Sequence, residues 1–72
     1  MNASEIIDRI ETSSDYQARE WSKGNHTRVY VSRTLSRGRR QDMGYIEVSE
    51  DGDLGFGGLD RNRAGIRDMV QG

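Results

Sequence analysis

Four arginines within eight residues, Arg33, Arg37, Arg39 and Arg40, are the side chains of this chain best suited to chemistry. A guanidinium presents a planar fork of donors that meets phosphate or carboxylate through paired hydrogen bonds. A cluster of this kind holds anions and does not by itself make or break bonds. Lys23 and Arg28 extend it upstream. Tyr30 and Tyr45 lie on the flanking strands of the pattern, and aromatics beside cations are the elements on which unpaired bases stack. The eight residues Lys23, Arg28, Tyr30, Arg33, Arg37, Arg39, Arg40 and Tyr45 form the expected binding set, with nucleic acid or a nucleic-acid-associated protein complex as partner.

The other chemistries fail on composition or spacing. The chain has no Cys and one His, so thiolate and multi-histidine metal sites are excluded and no disulfide forms. Nucleophilic catalysis needs a nucleophile, a base and a group that orients the base. His26, the sole imidazole, sits beside a Gly-Asn turn and reads as an exposed turn residue. Asp51 and Asp53 flank Gly52, but a calcium loop of the EF-hand type needs more ligands at set positions and a distal Glu. The Asp-Gly pair reads as a hairpin turn. Gly55-Phe56-Gly57-Gly58 lacks the Gly-Lys-Ser/Thr ending of a phosphate loop, because Leu59 and Asp60 follow. No cofactor is implied, and a non-enzymatic protein is expected.

Charge is arranged in blocks. Residues 19–40 hold seven basic side chains and one acid, and residues 41–60 hold six acids and no base, inside an overall net charge of −1. Such a split speaks to partners more than to fold. If sequential hairpins set the fold, the two blocks are neighbours and partly neutralise each other, least of all at Arg37, Arg39 and Arg40. Glu50, Asp51 and Asp53 offer an alternative, acidic partner surface that mimics phosphate charge. Pairing of the two blocks between copies would make a homo-oligomer.

The elements that must position these groups are short. At 72 residues the chain makes a single domain with a thin core; Leu, Ile, Val and Phe total 13 residues. Asn2-Ala3-Ser4-Glu5 has the form of a helix-capping box, and Ile6, Ile7 and Ile10 follow on one face, the helix ending near residues 12–14. Residues 16–21 read as a strand and residues 22–25 as a turn. Residues 27–35 alternate, with Val29, Val31 and Leu35 on one face and Arg28, Tyr30, Ser32 and Thr34 on the other. Arg33 interrupts the inner face where the strand leaves the core. Residues 36–41 read as a polar loop and residues 43–49 as a strand with Ile46 and Val48 inward. Leu54 and Phe56 make a last strand, ended by Gly57-Gly58. Asp60 caps a final helix in which Ala64, Met69 and Val70 face inward and Ile66 lies near the edge.

The expected fold class is therefore α+β: a four-stranded antiparallel meander in the order α-β-β-β-β-α, with two short helices packed on one face. The opposite face would show Arg19, Arg28, Tyr30, Thr34, Tyr45 and Glu47. Trp21 is expected in the core, as Trp is well buried on average, with an exposed interface anchor as the alternative. No apolar run approaches the roughly 18 residues of a membrane helix, and the acidic, amphipathic first ten residues do not read as a secretory signal. A soluble, cytoplasmic protein is expected.

The segment Trp21-Ser22-Lys23-Gly24 followed by Arg28-Val29-Tyr30-Val31 resembles small proteins of phages and mobile elements. That resemblance implies a second reading, an inhibitor or adaptor that binds a host protein complex, such as a defence system, in an anti-CRISPR-like manner through its charged faces. It assigns no individual residue.

Overall fold

A computed structural model describes residues 2–13, 15–58 and 63–71; the side chains of Arg63 and Ala64 lie outside that description, as do Ser14 and the expected cap Asp60. The element order is α1 (Ala3–Glu11), β1 (Tyr16–Lys23), β2 (His26–Thr34), β3 (Arg40–Val48), β4 (Leu54–Gly57) and α2 (Arg63–Gln71). The strands pair antiparallel in chain order, β1-β2-β3-β4, as the expected meander requires.

Helix α1 starts where the capping pattern places it. The Asn2 Oδ1 accepts from the Glu5 amide at 2.9 Å, which satisfies one of the donors left free in a first helical turn. Ile6 and Ile10 are fully buried and Ile7 packs beside them. Their partners are the inward residues of the sheet, Val29, Val31, Ile46 and Val48, and Ile66 and Val70 from α2. Burying a side chain of this size contributes roughly 1.5–3 kcal/mol. This one layer of about ten residues is therefore where the fold draws its stability. Ile66 is fully buried and not at the edge of that layer, and Arg9 ties the helices together by donating to the Val70 carbonyl.

The strands are longer than their apolar alternation. Lys23 pairs with His26, so the first turn contains only Gly24 and Asn25. Gly24 alone of the two has positive φ, +60°, the pattern of a type II′ hairpin turn. His26 is thus the first residue of a strand. Arg40 and Gln41 also belong to a strand, pairing with Thr34 and Arg33. They carry no apolar alternation, since no described helix covers that end, and their side chains are exposed on both faces.

A bulge in β3 changes which residues share a face. Val31 pairs with Gly44 but Ser32 pairs with Asp42, leaving Met43 as the extra residue. Met43 turns inward and is buried at the level of Val31 and Ser32, whereas Leu35, expected in the core, lies outside β2 and is half-buried. Gly44 sits at φ +118°, and a Cβ there would come within 2.4 Å of the Gly57 carbonyl oxygen. Only glycine allows this close passage of β3 past the end of β4.

Candidate nucleic-acid interface on the open sheet face

The face of the sheet opposite the helices has no cover among the described residues. Alternation and register place Arg19, Trp21 and Lys23 of β1, Arg28 and Tyr30 of β2, and Tyr45 and Glu47 of β3 on it. Across the strands Arg19 faces Tyr30, Trp21 faces Arg28, Tyr30 faces Tyr45 and Arg28 faces Glu47. The bulge adds Arg40, which pairs with Thr34 and so joins the same face as Tyr30. An unbroken alternation from Ile46 and Val48 would have pointed it toward the helices.

Trp21 is the principal correction to the sequence reading. It lies on this open face with 41% of its surface exposed, and Tyr30 beside it is 40% exposed. Trp21 and Tyr30 meet edge-to-face, centroids 6.4 Å apart at 86°. Tyr30 and Tyr45 are 5.6 Å apart at 51°. Such pairs are favourable by about 0.5–1.5 kcal/mol, enough to fix ring orientation but not to hide the rings from water.

Arg28 organises the centre. Its guanidinium lies 4.3 Å from the Tyr45 ring centroid and 5.8 Å from that of Trp21, within reach of cation–π attraction. Its Nη1 donates to the Tyr30 hydroxyl at 3.3 Å. That hydrogen bond raises the Arg28 pKa above its ordinary value, with Tyr45, Tyr30 and Glu47 adding smaller electrostatic support against the opposing effect of desolvation. Glu47 Oε1 lies 3.9 Å from Arg28 Nε and 3.3 Å from His26 Nδ1. The Tyr45 ring lies against Gly57, where a Cβ would approach its Cζ to 2.5 Å. Tyr45 is thereby held between a glycine and a guanidinium, while Trp21 and Tyr30 keep the exposed rings.

The arginine cluster divides between locations. Residues 35–39 form the loop between β2 and β3, closed by the Leu35 amide donating to the Arg39 carbonyl at 2.7 Å. Arg37 and Arg39 are exposed on that loop, and Arg40 begins β3. Arg33 pairs with Tyr16 and Gln41 on the helix side, so it does not join Arg40. Lys23 is on the open face, near Trp21, but at the far end of β1 from the loop. Arg37 has φ +63°, a left-handed conformation uncommon for residues with a Cβ.

The two charge blocks meet where Arg28 faces Glu47, as adjacency implied, but the Arg loop and the acidic turn lie at opposite ends of the sheet. The acidic turn, residues 49–53, follows Val48, which pairs with Thr27, whereas Arg40 pairs with Thr34. Seven residues of β2, roughly 23 Å of strand, lie between the two levels. Glu50, Asp51 and Asp53 are all exposed there, and the turn closes on itself through the Ser49 amide and Asp53 carbonyl at 2.9 Å. Among the described residues, both ion pairs within 4 Å fall on Glu47, and neither uses Arg37, Arg39 or Arg40. Asp42 alone of the acidic block stays near the Arg loop.

A groove of about 620 Å³ joins the aromatic and cationic parts, with Arg19, Trp21, Tyr30, Arg40 and Asp42 among its walls. The described residues hold no cluster of three metal-ligating side chains, and no described helix is long and apolar enough to cross a membrane. Comparison with protein families, with curated proteins and with solved structures finds no match.

Proposed function

We propose that this protein is a small non-enzymatic binding module that contacts nucleic acid, or a nucleoprotein, through the Arg-rich end of its central hairpin. The observation that carries the reading is the exposure of Arg37, Arg39 and Arg40 at one end of the sheet, with no carboxylate partner among the described residues. Three exposed cations within four residues of chain repel one another, and neither ion pair among the described residues offsets them. A polyanion relieves that repulsion and releases its counterions when they bind. Arginines at a loop set position on phosphates more than choice of sequence.

The test is the binding of fluorescently labelled oligonucleotides to the full chain and to Arg37→Ala/Arg39→Ala/Arg40→Ala. The expected result is salt-sensitive binding by the native chain that becomes much weaker and much less salt-sensitive in the triple variant while its melting temperature holds. Equal binding by the two proteins contradicts the reading.

A second reading rests on the separation of charge. Glu50, Asp51 and Asp53 stand away from the arginines at the other end of the sheet and form a surface for a basic protein partner, as an inhibitor or adaptor of a host complex would. Changing these three to Lys abolishes partner capture under this reading and leaves it intact under the first.

A further inference from the structure

We infer that the open sheet face is a stacking platform for unpaired bases, with Trp21 as its anchor, so that the ligand class is single-stranded nucleic acid. The inference rests on the proposed nucleic-acid reading and adds a surface that the arginine loop does not supply.

Three observations carry it. First, Trp21 and Tyr30 are neighbours on an uncovered face and are each about two-fifths exposed. Large exposed rings set among cations mark contact surfaces more than folding surfaces. Second, the two rings stand at 86°. A base parallel to one ring is perpendicular to a base parallel to the other. Neighbouring bases of a duplex stay parallel and bury their faces on each other, so only an unpaired strand can splay two bases onto this corner. Third, Arg40 shares a groove with both rings. The four strand residues from Tyr30 to Thr34, the partner of Arg40, span roughly 13 Å. With duplex phosphates spaced about 3.4 Å along one strand, a strand of some four nucleotides or fewer bridges that distance. Bases on Trp21 and Tyr30 therefore place the backbone beside Arg40 and lead it on to Arg37 and Arg39. Arg28, held on Tyr45 and hydrogen-bonded to Tyr30, keeps a cation beside the rings.

Trp21 is the only Trp of the chain, so its emission reports this surface alone. The experiment titrates the full chain with an unstructured DNA strand, an unstructured RNA strand and a matched duplex, reading Trp21 emission and the anisotropy of labelled oligonucleotides. One or both single strands quench Trp21 and bind more tightly than duplex. Trp21→Ala loses roughly ten- to a hundredfold in single-strand affinity, the worth of one stacked base. Trp21→Phe and Tyr30→Phe retain most of it, because a ring face remains. Tyr30→Ala provides a second truncation, and thermal melting confirms that each variant folds. Quenching by DNA alone or RNA alone supports the platform and names the sugar. Duplex bound as tightly as single strand, or Trp21→Ala binding like the native chain, overturns the platform but leaves the arginine loop as a phosphate contact. Absence of binding to all three oligonucleotides overturns both readings and turns the face over to a protein partner.

Discussion

The two faces of this sheet are built from the same strands and do different work. The helix side holds Ile6, Ile10, Val29, Val31, Ile46, Ile66 and Val70, none with more than 1% of its surface exposed. The open side holds Trp21, Tyr30 and Arg28, with aromatic rings in the water and a guanidinium between them. The period-two alternation of β2 makes both at once: Val29 and Val31 point inward, and Arg28, Tyr30 and Ser32 around them point outward. A chain this short has little core to spare. Large side chains kept out of it cost the fold potential burial, and their arrangement is better explained by contact than by stability.

That difference is open to direct attack. The largest effect is expected from Ile46→Ala, which empties a fully buried position against both neighbouring strands. A loss of about 2–5 kcal/mol is expected, close to the whole stability of a domain this size. Chemical denaturation should show a chain largely unfolded without denaturant. Gly44→Ala comes next, at roughly 2–4 kcal/mol, since its Cβ meets backbone atoms of residues 57 and 58 and its φ is positive. It should also disturb the bulge that aims Arg40, so binding falls with stability. Trp21→Ala should cost only about 1 kcal/mol, the loss of one edge-to-face pair and partial cover, a shift of about 4–8 °C in melting temperature. A collapse of the fold on this change would mean that Trp21 serves the core after all. The smallest effect is expected from Arg37→Gly. Relief of the left-handed strain, about 1–2 kcal/mol for a residue with a Cβ, is offset by the entropy of glycine, about 0.5–1 kcal/mol. Stability should rise by about 0.5 kcal/mol while oligonucleotide affinity drops a few-fold.

The sequence made the covered face easier to read than the open one. Ile6, Ile10, Val29, Val31, Ile46 and Val48 recur at helical and strand periods, and Asn2 and Asp51-Gly52 punctuate them, so element order and fold class were legible. Three features were not. Leu35 continued the alternation of Val29 and Val31, but β2 ends at Thr34, and the β3 bulge put Met43 into the core, where a single extra residue leaves no local signal except the glycine that follows it. Trp21 was expected inside because Trp is usually buried, yet it lies two residues along β1 from Arg19 and opposite Arg28. The pairing of Trp21 with Arg28 follows from the two-residue turn, and that register was the clue to its face. The Arg loop and the acidic turn were neighbours along the chain but sit at opposite ends in space, since β3 runs the length of the sheet between them, while Arg28 and Glu47 of the same two blocks stay together.

The central claim is that the exposed arginines at the loop meet phosphates, and its most direct measurement is the salt dependence of oligonucleotide binding. Engagement of Arg37, Arg39, Arg40 and one further cation on a single strand predicts a slope of about −3 in log affinity against log salt, or a roughly fiftyfold loss between 50 and 200 mM. In Arg37→Ala/Arg39→Ala/Arg40→Ala the slope should flatten to about −1, with the melting temperature unchanged. An affinity indifferent to salt, or an equal slope in the triple variant, would contradict the account.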